Sequence, residues 1–279
     1  MTKTVRISEK VSVGGDGPFL LIAGPCVIET TEITRDLAEF LQAAAQSQGL
    51  GFVFKSSYDK ANRTSVRSYR GPGLEAGLGL LRQIKEEIGV PVISDVHNLS
   101  EVEPAAAVLD VIQIPAFLCR QTDLVQAAAR TGRVVNVKKG QFLSPWDVAH
   151  VIEKITAAGN DNILITERGA SFGYNNLVVD MRALPIMRRF GYPVIFDATH
   201  SVQLPGGGQG CSSGDRDLIA PLARAAVAAG VDGVFMEVHP DPDRAWCDGP
   251  NTLPQQDFPD LIAMLNRIDR LVKNREPDL

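Results

Sequence analysis

The feature that most constrains this chain is a repeat of form rather than of residues. Short runs rich in Val, Ile, Leu and Phe return eight times, and amphipathic stretches separate them. The runs are Phe19 to Ala23, Gly51 to Lys55, Pro91 to Asp95, Val111 to Pro115, Val134 to Lys138, Ile163 to Thr166, Pro193 to Asp197, and Val234 to Glu237. Near-continuous apolar runs mark strands buried on both faces, which belong to parallel sheets with helical crossovers. Helices are predicted over Thr31 to Gln48, Leu74 to Ile88, Ser100 to Leu109, Thr122 to Arg130, Pro145 to Ala158, Asp215 to Ala229 and Phe258 to Lys273. Thr30 is the expected cap of the first, and Ser144-Pro145 supplies a cap and a first-turn proline for the fifth. Eight βα units in 279 residues fit an α/β fold of the closed (β/α)8 TIM barrel type, one domain over residues 1–279, better than an open doubly wound sheet. Val5 to Val13 alternates polar and apolar residues around Glu9-Lys10, which predicts a short N-terminal β-hairpin capping the barrel bottom.

Composition narrows the function classes. A net charge of -5 argues against nonspecific nucleic-acid binding, because a phosphate backbone selects basic surfaces. No apolar run approaches the roughly 20 residues that cross a bilayer, so no membrane insertion is expected. Cys26, Cys119, Cys211 and Cys247 show no CxxC spacing, and Met1 to Lys10 is polar, which predicts a cytoplasmic protein with reduced thiols. Gly71-Pro72-Gly73 with Gly77 has the wrong spacing for a dinucleotide fingerprint and does not directly follow a strand.

Chemistry collects where the strands end. Cys26, Lys55, Asp95, Gln113, Lys138, Glu167-Arg168, Asp197 with His200, and Glu237 with His239 all fall at predicted C-terminal strand ends, the face on which barrels build their sites. Lys55, Lys60, Arg63, Arg120, Lys138 and Arg168 form a cationic group in an acidic chain, suited to phosphate and carboxylate. A Schiff-base role for Lys138 is the alternative. Cys26, as either nucleophile or metal ligand, is the most ambiguous of the set. With His200, Glu237 and Asp248 it offers one sulfur, one nitrogen and two carboxylates, a donor set for one divalent ion such as zinc, iron(II) or manganese. Gly206 to Gly214 is either a lid over this rim or a plain surface loop.

Five longer motifs go further: Lys55-Ser-Ser-Tyr-Asp-Lys-Ala-Asn-Arg-Thr-Ser65, Gln113-Ile-Pro-Ala-Phe-Leu-Cys-Arg-Gln-Thr-Asp123, Asn136-Val-Lys-Lys-Gly-Gln-Phe142, Thr166-Glu-Arg-Gly169 with Phe172-Gly-Tyr-Asn-Asn176, and Asp197-Ala-Thr-His-Ser-Val-Gln-Leu-Pro205. In their order they resemble the 3-deoxy-D-manno-octulosonate 8-phosphate synthases over nearly the whole chain. The resemblance implies a homotetrameric TIM-barrel transferase of lipopolysaccharide biosynthesis. Its reaction condenses phosphoenolpyruvate with D-arabinose 5-phosphate and releases phosphate. The related 3-deoxy-D-arabino-heptulosonate 7-phosphate synthases use erythrose 4-phosphate and are the alternative. They typically read Lys-Pro-Arg-Thr-Ser where this chain has Lys60-Ala-Asn-Arg-Thr-Ser65, so Asn62 favours the longer sugar.

By the same resemblance, Lys138 and Arg168 take the phosphoenolpyruvate phosphate, Lys60 and Ser57 its carboxylate, and Lys55, Gln113 and His97 complete that pocket. Asn62, Arg63 and Asp95 hold arabinose 5-phosphate, with Arg120 reaching across from a neighbouring subunit. Cys26, Lys60, Asp95, Lys138 and His200 are the expected catalytic residues. At position 26, metal-requiring members carry cysteine and metal-independent ones asparagine, which points to the metal-dependent type. Cys247-Asp248-Gly249-Pro250, however, resembles metal-independent members, so the signature is mixed.

Overall fold

In the computed structural model, which describes residues 1–208 and 212–273, the eight apolar runs are eight parallel strands. They are β1 (Leu20–Gly24), β2 (Phe52–Lys55), β3 (Val92–Asp95), β4 (Val111–Ile114), β5 (Val134–Lys138), β6 (Ile163–Glu167), β7 (Val194–Asp197) and β8 (Gly233–His239). Each pairs with the next in chain order, and β8 pairs with both β7 and β1, which closes the sheet into a barrel. The crossover helices are α1 (Thr31–Ser47), α2 (Leu74–Ile88), α3 (Leu99–Ala106), α4 (Thr122–Arg130), α5 (Val148–Ala157), α6 (Ala183–Arg188) and α7 (Ile219–Ala229), with α8 (Phe258–Val272) after the last strand. Among the described residues no helix is long and apolar enough to cross a membrane.

Thr30 caps α1 as expected, its hydroxyl accepting from the Ile33 amide at 3.2 Å. Ser144-Pro145 does not start α5. The Ser144 hydroxyl accepts from the Asp147 amide at 3.3 Å and closes a separate turn, so the helix begins at Val148. Asp215 likewise caps a 3-10 turn at Arg216–Leu218 that precedes α7. Asn98 caps α3, which ends before Leu109. Helix α6 has no counterpart among the predicted helices. Its six residues include Pro185, too short and too interrupted to carry a helical period.

The two-residue alternation of the strands divides the barrel. Leu20, Ile22, Val53, Ile93, Val111, Val134, Leu164, Ile195 and Phe235 form one lumenal apolar cluster. Val5, Ile7 and Val13, from a hairpin that pairs Val5–Arg6 with Ser12–Val13, join it and plug the N-terminal mouth as predicted. The intervening residues face outward and pack under the helices. Continuing the alternation toward the C-terminal ends puts Lys55, Asp95, Gln113, Asn136, Thr166, Asp197 and Glu237 next along the same lumenal face, all buried. The lower lumen is therefore apolar and the upper lumen ionic.

Two local features shape the C-terminal rim. A Cβ on Gly24 would overlap the Lys55 carbonyl oxygen, so only glycine lets β1 run this close to β2 before turning into Pro25-Cys26. Strand β8 runs past the predicted Glu237 to His239, and Val238 and His239 pair in parallel with Leu253 and Pro254. That pairing ties down both ends of the intervening segment and folds it over the barrel mouth.

Candidate active site

Above the ionic layer lies a cavity of about 700 Å³, lined by Lys55, Lys60, Asn62, Arg63, Asp95, His97, Lys138, Arg168, His200 and Asp248, among others. The alternation of the strands explains most of these positions. Lys55 and Lys138 are the final lumenal residues of β2 and β5, and their long stems lift the ammonium groups from the barrel wall into its mouth. Lys60, Asn62 and Arg63 come from the loop after β2, and His97 from the loop after β3.

Each of the three cavity lysines has a carboxylate held against it. Lys55 Nζ donates to Glu237 Oε1 at 2.8 Å and to the Cys26 carbonyl at 2.8 Å. Lys60 Nζ stands 3.8 Å from the same Glu237 oxygen. Lys138 Nζ donates to Asp197 Oδ2 at 2.6 Å and sits 3.8 Å from the centroid of the Phe235 ring. Burial alone would push these carboxyls up, but the cations win. His200, Lys55 and Lys60 hold Glu237 far below the usual range; Lys60 and Lys55 do the same for Asp95, and His200 and Lys138 for Asp197. Burial pulls the Lys138 ammonium down, and Asp197 restrains that fall. The site thus holds its ionised groups by mutual neutralisation in a place that water barely reaches.

A hydrogen-bonded chain crosses four strands beneath the cavity. Asp95 accepts from the Ser57 hydroxyl and from Gln113 Nε2, both at 2.6 Å. Gln113 Oε1 accepts from Asn136 Nδ2 at 2.8 Å, and Asn136 Oδ1 accepts from the Thr166 hydroxyl at 2.7 Å. An ionised carboxylate only accepts, so Asp95 fixes which way every amide in the chain faces.

Opposite this chain, Cys26, His200, Glu237 and Asp248 approach one another. The Cys26 thiol donates to Asp248 Oδ2 at 3.4 Å, and His200 Nε2 lies 3.5 Å from Glu237 Oε1 and 3.8 Å from Asp248 Oδ2. The His200 Nδ1 edge faces Asp197 Oδ2 at 2.8 Å, which leaves Nε2 toward the cluster. Burial, then Cys247 and Glu237, push the Cys26 thiol well up, so a cation is what would compensate its ionisation. Glu237 Oε2 is buried without a hydrogen-bond partner among the described residues, and the donors combine sulfur, imidazole and carboxylate. Those two observations fit a divalent transition ion. Asp248 is held with a left-handed φ of 53°, an uncommon conformation for a residue other than glycine.

Other sequence-predicted residues fall elsewhere. Ser57 and Gln113 lie below the cavity in the Asp95 network. Arg120 is exposed and away from the cavity of its own chain, and its carbonyl accepts from Lys154 Nζ. Arg63 faces the Cys247 sulfur and the Trp246 carbonyl. His239 turns aside to Glu29 Oε2 at 3.4 Å and to the Asp241 amide at 3.0 Å, so it braces the loop rather than the cavity. Lys139 and Glu167 pair at 3.5 Å on the other side of the barrel wall. Gln203–Leu204 pairs with Ser213–Gly214, and Pro205, Gly206 and Ser212 line the cavity. The middle of that glycine-rich segment, including Cys211, lies outside the described residues.

Several contributors escaped the sequence reading. Gln203 Oε1 accepts from Arg168 at 3.0 Å, and Arg216 lines the cavity while bonded to Asp243 and the Gly249 carbonyl. Glu101 accepts from the His97 amide at 2.8 Å and from the Tyr58 hydroxyl at 2.7 Å, which positions His97. Asn136 was legible in principle, two residues before Lys138 on the same strand face. Cys247 stands beside Cys26, which no spacing rule could reveal.

Comparison with known proteins agrees over the same span. Residues 3–274 match the DAHP synthetase I family. A Geobacter metallireducens protein named 2-dehydro-3-deoxyphosphooctonate aldolase is 61% identical over 273 residues, covering 98% of this chain and 100% of its own. Proteins of the same name from Geobacter sulfurreducens and Pelobacter propionicus are 59% and 60% identical, each over 273 residues, with the same coverage.

Proposed function

The chain belongs to the DAHP synthetase I family, alongside relatives named 2-dehydro-3-deoxyphosphooctonate aldolase, and from that premise we propose that its barrel condenses phosphoenolpyruvate with D-arabinose 5-phosphate. The products are 3-deoxy-D-manno-octulosonate 8-phosphate and inorganic phosphate. The observation that carries this reading is the buried cationic cavity, in which Lys55, Lys60, Arg63, Lys138 and Arg168 face one space at the barrel's C-terminal mouth. Two multiply charged anions repel strongly, and pre-placed cations remove that obstacle while fixing the reacting atoms near contact. The erythrose 4-phosphate alternative is disfavoured by the relatives' name and by Asn62, whose amide in the cavity wall suits an additional sugar hydroxyl.

In the reaction, C3 of phosphoenolpyruvate bonds to the aldehyde carbon and water adds at C2. The resulting hemiketal phosphate expels inorganic phosphate. Lys138 and Arg168 bind the phosphoenolpyruvate phosphate, and Lys60 with Ser57 its carboxylate. Lys55, Gln113 and His97 complete that half. Asn62, Arg63 and Asp95 hold the sugar phosphate. The burial of Lys55, Lys138 and Arg168 and the place of Lys60, Asn62, Arg63, Asp95 and His97 in the cavity lining support these assignments. Lys138 at 2.6 Å and His200 at 2.8 Å share the ionised Asp197 carboxylate, which orients both groups toward the cavity.

Cys26, His200, Glu237 and Asp248 would hold one divalent zinc, iron(II) or manganese ion. When bound, such an ion supplies Lewis acidity and orientation toward the aldehyde. A homotetramer is also proposed, supported by the exposure of Phe142 and Trp146 in the segment after β5 and of Phe172 and Tyr174 in the segment after β6. Residues 1–279 act as one domain in the cytoplasm, where reduced Cys26 and Cys247 persist.

The test is phosphate release from phosphoenolpyruvate with arabinose 5-phosphate or erythrose 4-phosphate, each with and without chelator. Turnover with arabinose 5-phosphate at least tenfold above erythrose 4-phosphate is expected, with loss of activity in chelator. Preference for the shorter sugar overturns the substrate reading, and chelator-resistant turnover overturns the metal role.

A further inference from the structure

The four donors that sequence assembles around a metal do not form a single tight set. Cys26, Cys247 and Asp248 offer ligand atoms all within 4.8 Å of one another, and so do His200, Glu237 and Asp248. Asp248 belongs to both groups. Cys247 is therefore as well placed toward Cys26 and Asp248 as His200 is toward Glu237 and Asp248.

Cys247 is not part of the main core. The residue is buried at 3% exposure in a small satellite cluster with Cys26 and Val27, and the Arg63 guanidinium donates to its sulfur. Cys247 and Asp248 are consecutive, so one short segment delivers a sulfur and a carboxylate together. That segment is clamped. The Asp248 carbonyl accepts from the Thr252 hydroxyl at 2.8 Å, and the β8 pairing with Leu253 begins one residue later. Glu237 Oε2 in the adjoining group is buried and has no hydrogen-bond partner among the described residues, which marks open donor capacity there.

We propose that Cys247 is a fifth donor of the metal centre, so that Cys26 and Cys247 together present two sulfurs to the ion. The proposal rests on the metal reading above and deepens it by naming the class of ion selected. Two thiolates with imidazole and carboxylate form a soft donor set, which suits zinc, cobalt(II) and cadmium and disfavours manganese, whose preference is for oxygen. It also gives the Cys247-Asp248-Gly249-Pro250 segment a chemical role in a chain that carries Cys26. A single-sulfur site would discriminate among these ions less.

The experiment titrates the full-length protein, freed of metal, with cobalt(II). Sulfur-to-cobalt charge-transfer absorption in the near ultraviolet is followed in the native protein, in Cys247→Ser, in Cys26→Ser and in the double variant. The expected result is an intense band in the native protein, about half of it in each single variant and none in the double, which removes Cys119 and Cys211 as sources. Competition with a chromophoric chelator should show Cys247→Ser losing at least about tenfold in cadmium affinity and less than about threefold in manganese affinity. A native-strength band in Cys247→Ser, or no band in Cys26→Ser, overturns the role of Cys247 while leaving the metal reading intact. Absence of any cobalt band in the native protein overturns both. Near-native far-ultraviolet dichroism of the serine variants separates ligand loss from misfolding.

Discussion

Asn136 offers the sharpest test of the view that a satisfied polar network holds the upper barrel. It is fully buried, lies below the cavity and is not among the cavity-lining residues. Replacing it with alanine deletes two hydrogen bonds, the 2.8 Å bond to Gln113 Oε1 and the 2.7 Å bond from Thr166 Oγ1. Gln113 and Thr166 remain behind with polar atoms sealed from solvent. Each orphaned buried group costs roughly 1–3 kcal/mol, so the pair predicts a loss of about 2–6 kcal/mol. At a urea slope of ~3 kcal/mol/M this moves the unfolding midpoint down by about 0.7–2 M. Leucine, with the branched skeleton of asparagine but bulkier methyl ends, leaves no room for a bridging water. Asn136→Leu is therefore expected to fall at least as far as Asn136→Ala, although it adds apolar surface. The assay is equilibrium urea denaturation at fixed protein concentration, followed by tryptophan fluorescence and far-ultraviolet dichroism together. A leucine variant as stable as the native protein refutes the reasoning, because the site would then behave as ordinary core volume.

Three further outcomes follow from the same geometry. Asp95 is ionised far below the usual range because Lys60 and Lys55 outweigh its burial; its contribution is present above the unfolded value of about 4 and is lost as pH falls toward the lower folded value. The stability gap between the native protein and Asp95→Asn should accordingly narrow as urea titrations move below about pH 4, and a gap independent of pH contradicts the assignment. Tyr58→Phe removes the 2.7 Å bond to Glu101 and should cost about 1.5–3 kcal/mol, the range for bonds to charged acceptors, read as a lowered thermal midpoint. Gly79 lies exposed within α2 with open space where a Cβ would go, so Gly79→Ala should stabilise by roughly 1 kcal/mol; Gly24→Ala, whose Cβ would meet the Lys55 carbonyl, should compromise folding, and equal behaviour of the two in thermal melts would argue against the close β1–β2 approach.

Much of the architecture was legible in one dimension because strand burial and strand alternation are local properties. Eight apolar runs predicted eight strands, and the hairpin before them was visible in its alternation. Thr30 announced its helix because an N-cap acts on an amide only three residues away. Ser144 and Asp215 misled for the same local reason: each caps a turn, and nothing in a cap says whether the turn continues as a helix.

At the site, the sequence by itself determined which groups reach the upper barrel. Alternation from Val53, Ile93 and Ile195 makes Lys55, Asp95 and Asp197 lumenal whatever the rest of the chain does. Tertiary structure alone decided how those groups pair and what joins them from outside the strands. The Asp95–Gln113–Asn136–Thr166 chain exists only because β3 to β6 are neighbours in register. Cys247 and Asp248 reach Cys26 only because β8 extends to pair with Leu253–Pro254 and the barrel closes β8 against β1. Periodicity is a short-range property of the chain. The meeting of residues more than two hundred positions apart depends on barrel closure, and no local sequence signal encodes that distance.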